Sequence, residues 1–597
     1  MDKNYFLGIS ISHNSSAALM CDGKVIAAAC EERFNREKNY TGFPIESIRY
    51  CLAHAEITGA ELARVAYSTI SNPGLLVKAQ TNTRFTINDY HNYYGKDYYA
   101  LILNGEVPKD FLKRLRDDPQ FNSGIQHLNF DYLTDEVLLD SKLDIELFQK
   151  EQIRVLVDEF SIEPEKIEFI DHHLCHANYA YFSSPFRGSD CLVITMDGWG
   201  DGRNQTVWRV HKEVLTLLAE SAENEIGRIY KLATLILGMR PDEHEFKVMG
   251  LAPYAKESYI LKALEPIKDI CQVIGLQIKH KNRPKDLYSY LVEVWKSHRF
   301  DNIAGAVQKL TEDLACELVK NAIEETDVSR VVLGGGIAMN IKMNQAISEL
   351  SSVSEIYVGG SNGDESLSIG ACYVLEQRDL IKQPLGNLYL GYNVDQEINE
   401  LSPSELRKSF VVEVDPTYEQ VAQFLFEGRI IGWIQGRAEF GARALGNRSI
   451  LANPSFRESV QKINEAIKNR DFWMPFALSI LEEEHENYID NPKKIQSPMM
   501  TMGFNSIPSN YCKIEAGTHP YDRTVRPQFV SKNQNPEYHD LISKYYKISG
   551  VPALLNTSFN LHGEPIVNNI ADSIRTFVNS ELDNLLIGKK YLLSKIR

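Results

Sequence analysis

The sequence predicts an α/β protein in which a duplicated N-terminal α/β domain precedes a smaller α+β domain. Three observations carry that prediction. Tyr5–Ile11 reads as an apolar strand, His13–Ser16 as a small polar turn, and Ala17–Met20 with Val25–Ala29 as an antiparallel pair across a Cys-Asp-Gly-Lys turn. The same layout returns later, with a strand at Cys191–Met196, a Gly/Asp turn at Asp197–Gly202, and a strand pair at Gln205–Val210 and Val214–Ala219. Finally, the stretch Lys382–Asp395, with Pro384, Gly386 and Gly391, breaks the rhythm as a linker does. Domains are therefore expected at 1–385 and 400–597.

A strand, a small-residue turn and an antiparallel hairpin, occurring twice, form the ground plan of actin-like (ASKHA) ATPase domains, whose two similar halves hold a nucleotide. Residues 74–150, rich in Tyr, Asn and charge, read as a mostly helical insertion that forms either a ligand-binding wall, as Tyr and His stack on rings, or, more often, a structural decoration. A third unit is read at Val331–Gly336, a buried strand entering a glycine turn. Helix Ile337–Glu349, strand Glu355–Val358, a GGSNGDES loop and helix Leu367–Gln377 follow. Helix Ala177–Phe182 is expected after a histidine cluster. In the second domain the pattern predicts helix Tyr418–Phe426, strand Ile430–Ile434, the loop QGRAEFGARALGNRS, and strand Ala553–Leu555 ending at NTSFN.

The totals narrow the function. A chain of 597 residues is too long for one core. Its 43% apolar and 24% charged content is that of a globular protein. A formal charge of −16 argues against a nucleic-acid partner, which needs a basic field. The nine cysteines contain no CxxC pair, as reduced buried thiols would. The first residues lack signal-peptide architecture, and no run reaches roughly eighteen apolar residues, so a cytoplasmic protein without a membrane partner is expected.

Several motifs carry chemistry. His172 and His176 are four apart, so on a helical turn both imidazoles face one way and can grip one metal. Alone, such a pair is more often a pair of surface or capping histidines, but three histidines and an Asp within six residues, next to a Gly/Asp turn, favour the metal. A carboxylate would complete a facial triad suited to Fe2+, Zn2+ or Mn2+, and Asp364 is the best candidate. The glycine turns at 197–202, with Asp197 and Gly198, and at 333–340, with Gly335 and Asn340, let backbone N–H groups approach phosphates. The polar loop His13–Ser16 makes a third wall of such a cleft. The C-terminal half carries Arg437, Arg443, Arg448, Lys468, Arg470, Arg523 and Arg526 among Gly, Asn and Ser, a composition that suits an oxyanion pocket. Asn556 and Ser558, at a strand end, offer neutral hydrogen bonds.

Taken together, HNSSAAL (13–19), EERFNREKN (31–39), DHHLCHANYAYFSSPF (171–186), MDGWGDG (196–202), FKVMGLAPYA (246–255), GGGIAMN (334–340), QGRAEFGARALGNRSILANP (435–454), THPYDRTVRPQ (518–528) and LLNTSFNLHGEPIV (554–567) resemble the NodU/TobZ-type carbamoyltransferase family. The resemblance implies a TsaD-like first domain and a YrdC-like second. It also implies a two-step reaction. The second domain would make carbamoyl-adenylate from carbamoyl phosphate and ATP, with Mg2+, and the first would pass the carbamoyl group to a small-molecule hydroxyl. Carried over by motif, His172, His176 and Asp364 would hold iron, and His13 would assist transfer as base or carbonyl polariser, with Asp197 beside it. Lys38, Asp197, Lys247 and Asn340 would line the adenylate cleft, and Arg443, Lys468, Arg526 and Asn556 would bind ATP and carbamoyl phosphate.

Asn14, Met474, Leu478 and Arg523 depart from the family pattern. Asn14 stands where an Asp is usual, Met474 where an arginine is usual, and Arg523 where a glycine is usual. Arg523 is therefore expected to replace the cation missing at Met474. Two other readings share these domains: a threonylcarbamoyladenosine-type tRNA-modifying enzyme, and a nucleotide-binding relative with impaired catalysis. An oligomer is compatible with all three.

Overall fold

The computed structural model describes residues 3–71, 85–106, 108–111, 141–376, 384–468 and 471–596. The chain divides into two compact units, Met1–Leu385 and Gly386–Arg597. Among the described residues no helix is long and apolar enough to cross a membrane.

In the first unit, β1 (Tyr5–Ser10) is buried along its whole length and lies at the centre of a five-stranded sheet. β2 (Ser16–Cys21) and β3 (Lys24–Cys30) add antiparallel on one side; β4 (Arg64–Tyr67) and β5 (Ile167–Phe169) add parallel on the other. The second half repeats this plan. Its central strand is β6 (Cys191–Gly200), flanked by β7 (Arg203–His211) and β8 (Val214–Ser221). A separate hairpin, β9 (Cys271–Ile274) and β10 (Gln277–His280), precedes β11 (Arg330–Gly334) and β12 (Glu355–Val358), which complete the second sheet. Orders 3-2-1-4-5 and 8-7-6-11-12 carry the same strand senses, so the doubled actin-like plan is explicit in the hydrogen bonding.

The strand read as opening a third unit is therefore β11, the parallel partner of β6. Apolar runs such as Val331–Gly334 mark a central strand without saying which strand it joins. β6 also outruns its expected end. Asp197–Gly200 continue the strand through an irregular register, and the turn is the two-residue Asp201–Gly202, with φ of 47° and 84°. Positive φ at both positions is what a tight hairpin of this twist requires.

The histidine cluster lies inside a helix, His172–Ser183, not before one. Asp171 supplies its cap, its carboxylate accepting the Leu174 N–H at 2.9 Å, and that acceptor moves the helix start five residues upstream of the expected Ala177. Within the insertion, Ile87–Asn92, Tyr93–Asp97, Tyr99–Leu103 and Ser141–Phe160 are helical; residues 72–84 and 112–140 lie outside the described residues. Several aromatic rings among its described residues turn inward. Tyr93 packs against Tyr94, Tyr98, Tyr99 and Phe111, and Phe85, Tyr90, Tyr93 and Tyr94 are buried.

The second unit is built on an eight-stranded mixed sheet. In spatial order its strands are Phe410–Val414, Tyr591–Lys595, Asn584–Ile587, Ile431–Ile434, Arg448–Ala452, Ala553–Ser558, Ala477–Leu481 and Pro527–Val530. Helices Tyr418–Phe426 and Pro536–Ser549 bring Tyr418 and Tyr538 against the buried Trp433, with ring centroids 5.9 and 5.6 Å away. A second cluster around Ile434, Ile450, Leu555, Phe559 and Phe577 forms the core on the sheet.

Candidate active site

Helical spacing places His172 and His176 on one face, their ring centroids 4.7 Å apart. Two loops bring carboxylates to them. Asp364, at the end of the loop after β12, lies with Oδ1 3.8 Å from Nε2 of each histidine. Its other oxygen accepts a hydrogen bond from Ser12 Oγ at 2.5 Å, which fixes the orientation. Asp197, on β6, approaches His172 Nε2 at 3.4 Å, while its Oδ1 accepts the Gly336 N–H at 2.8 Å. Ligand atoms from these four residues lie within 4.8 Å of one another, and among the described residues no other group of this kind occurs.

The set fits a divalent cation. His172 Nε2 and both ring nitrogens of His176 are buried without a hydrogen-bond partner, which is costly unless something binds there. Two imidazoles and two carboxylates form a donor set suited to Fe2+, Zn2+ or Mn2+. The electrostatics agree. Burial would push the His172 imidazole down, but Asp197 and Asp364 carry it up to about 9. Burial likewise opposes charge on Asp197, yet the His172 contact and the neighbouring imidazoles hold its carboxyl well below the usual range. The third histidine has a different task. His173 bonds Thr195 Oγ1 at 2.8 Å and the Arg203 carbonyl at 3.2 Å, and burial with its two histidine neighbours pushes it far down.

Other expected residues gather nearby or are committed to the scaffold. His13 lies half-buried in the β1–β2 turn, close enough for its charge to act on Glu365, the residue after Asp364. Next to it Asn14 adopts φ 59°, a left-handed conformation that Asn tolerates, and its buried Oδ1 has no hydrogen-bond partner. Lys38 pairs with Glu243 at 3.3 Å. Burial and the charges of Lys247, Lys38 and Arg240 push His244 down to about 4 against the opposing charge of Glu243, with which Arg240 pairs at 3.1 Å. Gly335, at φ 85°, packs on the Met196 carbonyl, where a Cβ would sit 2.3 Å away. Gly198 has open space at the same position. Asn340 caps helix Ile341–Glu349 through the Lys342 and Met343 N–H groups and exchanges hydrogen bonds with Gln308.

In the second unit the basic constellation separates. Arg448 is fully buried, and its guanidinium donates to five backbone carbonyls: Gln435, Asn447, Tyr392, Gly436 and Asn568. All its N–H groups are used, so it closes the loop instead of binding an anion as expected. Lys468 is also buried, donating to Ser558 and to Asn560, whose carbonyl lies 2.9 Å away; Ser558 Oγ in turn donates to Asn560 Oδ1 at 2.7 Å. Arg523 is exposed at φ 60°, with its guanidinium 4.7 Å from the Tyr511 ring centre, whereas Met474 is buried. The expected substitution of one for the other therefore gains no support. Arg443 and Arg526 are half-buried, and Arg470 lies outside the described residues. Asn556 donates to the Ala444 carbonyl and Ser479 Oγ, leaving its buried Oδ1 without a hydrogen-bond partner.

Family models for the carbamoyltransferase N-terminus and C-terminus match residues 5–373 and 422–595. The chain belongs to the carbamoyltransferase family. A nodulation protein, NolNO of Sinorhizobium fredii, is 29% identical over 98% of this carbamoyltransferase and 79% of its own length. The 3'-hydroxymethylcephem-O-carbamoyltransferase of Streptomyces clavuligerus is 27% identical over 43% of this chain and 47% of its own length. Among solved structures, component A of the Acidaminococcus fermentans (R)-2-hydroxyglutaryl-CoA dehydratase covers 62% of this chain and 97% of its own at 14% identity, with a TM-score of 0.32.

Three residues of this carbamoyltransferase escaped sequence reading as members of their clusters. Arg240 and His244 sit in the charge-rich RPDEHEFK stretch, where periodicity is silent. Glu439 is buried inside the arginine-rich loop and accepts the N–H groups of Leu445, Asn447 and Arg448. A lone acid between glycines and arginines was the available signal.

Proposed function

We propose that this carbamoyltransferase forms carbamoyl-adenylate and transfers its carbamoyl group to the hydroxyl of a small-molecule acceptor. In the second unit carbamoyl phosphate, ATP and water would give carbamoyl-adenylate, pyrophosphate and phosphate. In the first, the acceptor oxygen attacks the carbamoyl carbon, the bond to the phosphate oxygen breaks, AMP leaves, and the hydroxyl proton passes to a base. The observation that carries this reading is the buried His172, His176, Asp197 and Asp364 set, with imidazole nitrogens that lack partners.

When bound there, Fe2+ or a related cation supplies Lewis acidity toward the anionic adenylate. His13, half-buried at the turn beside Glu365, is the group assigned to the hydroxyl proton. Lys38 and Arg240, which both pair with Glu243, and Lys247 would supply positive charge for the phosphate of the leaving AMP. ATP enters with Mg2+. A hydroxyl acceptor agrees with the name of the cephem relative, which is an O-carbamoyltransferase.

The test is ATP–pyrophosphate exchange that depends on carbamoyl phosphate, followed by an alcohol screen with labelled carbamoyl phosphate. Carbamoyl-dependent exchange is expected. Nucleotide binding without exchange would replace this reading with that of a non-catalytic relative.

A further inference from the structure

The tip of the β6–β7 hairpin, Gly200–Arg203, meets the first turn of the helix His172–Ser183 at several points. Gly200 faces the His172 ring, the Arg203 carbonyl meets His173, and the Arg203 guanidinium lies 3.2 Å from the cap residue Asp171. Asp201 makes the densest of these contacts. Its Oδ2 accepts the His172 N–H at 2.8 Å and the Ile70 N–H at 3.0 Å. Its Oδ1 accepts the Ser71 N–H at 2.8 Å, Ser71 Oγ at 2.6 Å and Thr69 Oγ1 at 3.0 Å. Thr69–Ser71 follow β4 in the first half, whereas Asp201 belongs to the second half. One carboxylate therefore joins both halves at the residue that begins the histidine face.

We propose that Asp201 is a positioning residue that ties the end of β4 to the first turn of the histidine helix and so holds His172 and His176 in register with Asp197 and Asp364 for a metal. A helix start has N–H groups without intrahelical partners, and a carboxylate satisfies one while favouring the positive end of the helix dipole. Asp201 does this while its second oxygen is committed to another segment, so the helix cannot shift along its axis without breaking hydrogen bonds to β4's continuation. The inference rests on the metal reading of the four-residue set.

Asp201→Asn is the test, because the amide has the same shape but only one acceptor. Whichever way it turns, its NH2 faces an N–H donor. With Co2+ as the spectroscopic probe, affinity should fall roughly 10- to 100-fold, the usual effect of losing a group that orients metal ligands. Amide hydrogen exchange at His172–His176 should quicken at least about tenfold in the metal-free protein.

Glu31→Gln is the control. Glu31 is another buried carboxylate of this unit, accepting the Glu46 N–H and the Ser47 N–H and Oγ, and its loss should lower the melting temperature without moving either readout. Wild-type Co2+ affinity or wild-type exchange in Asp201→Asn overturns the proposal, as does a Glu31→Gln variant that reproduces both effects. Should wild type take up no Co2+, the metal reading fails and the exchange measurement alone judges Asp201. Should Asp201→Asn not fold, Ser71→Ala removes one donor to the same carboxylate. It should change both readouts in the same direction by less; no change refutes the role.

Discussion

Replacing Gly200 with alanine perturbs the site by a single methyl group. A Cβ there would lie 2.2 Å from His172 Cδ2, 2.3 Å from Cγ and 2.7 Å from Nε2. Ordinary contact begins at 3.4 Å, so ring and strand must separate by roughly 1.2 Å. The ring has little room to retreat, since His172 is 3% exposed and its backbone N–H is held by Asp201. Overpacking of this kind costs about 1–3 kcal/mol. Metal–ligand distances tolerate only about 0.2 Å, so the displacement should matter far more for binding than for folding. Purified Gly200→Ala should unfold at modestly lower denaturant, yet carry much less metal by elemental analysis and lose transfer to the acceptor. ATP–pyrophosphate exchange, assigned to the second unit, should persist. A variant with wild-type metal content and transfer rate would refute the claim that this close approach sets the His172 ring.

Three further outcomes follow from other parts of the chain. His176→Ala removes two buried nitrogens that lack partners and should abolish carbamoyl transfer while leaving exchange intact; parallel loss of both activities would contradict separate sites. Burial and the Asp242 charge push the Glu245 carboxyl up to about 8, so the folded state binds a proton that the unfolded state has lost above the usual 4.5. Stability should therefore be highest at the acid end of that window and fall by up to about 1.4 kcal/mol per pH unit as pH rises toward 8. Glu245→Gln should flatten that slope in denaturation titrations, and an unchanged slope would exclude Glu245 as its source. Arg448→Met removes the guanidinium from five carbonyls, of which those of Asn447, Tyr392 and Gly436 keep a backbone N–H donor, and a loss of about 3 kcal/mol is expected in the unfolding of the second unit. A loss under about 1 kcal/mol would mean that water replaces the guanidinium.

Local pattern by itself determined much of this protein. Short continuous apolar runs and the turns between them marked both copies of the strand–turn–hairpin, because local apolar composition and turn chemistry are short-range properties. The spacing of His172 and His176 likewise put two imidazoles on one face before any contact was known. The glycine and proline break after Lys382 marked the boundary between units. Tertiary structure decided the rest. Asp197 reads as a turn residue, yet the extension of β6 carries it to the His172 ring. Arg448 reads as one more cation in an anion pocket, but burial requires all its donors to be satisfied, and the nearest acceptors are backbone carbonyls. Val331–Gly334 announces a buried strand without its partner, which is β6, far upstream in the chain. A residue's type and its neighbours in sequence set what it can do. Which charge meets which acceptor depends on long-range packing, where a buried polar group takes the partner the fold supplies.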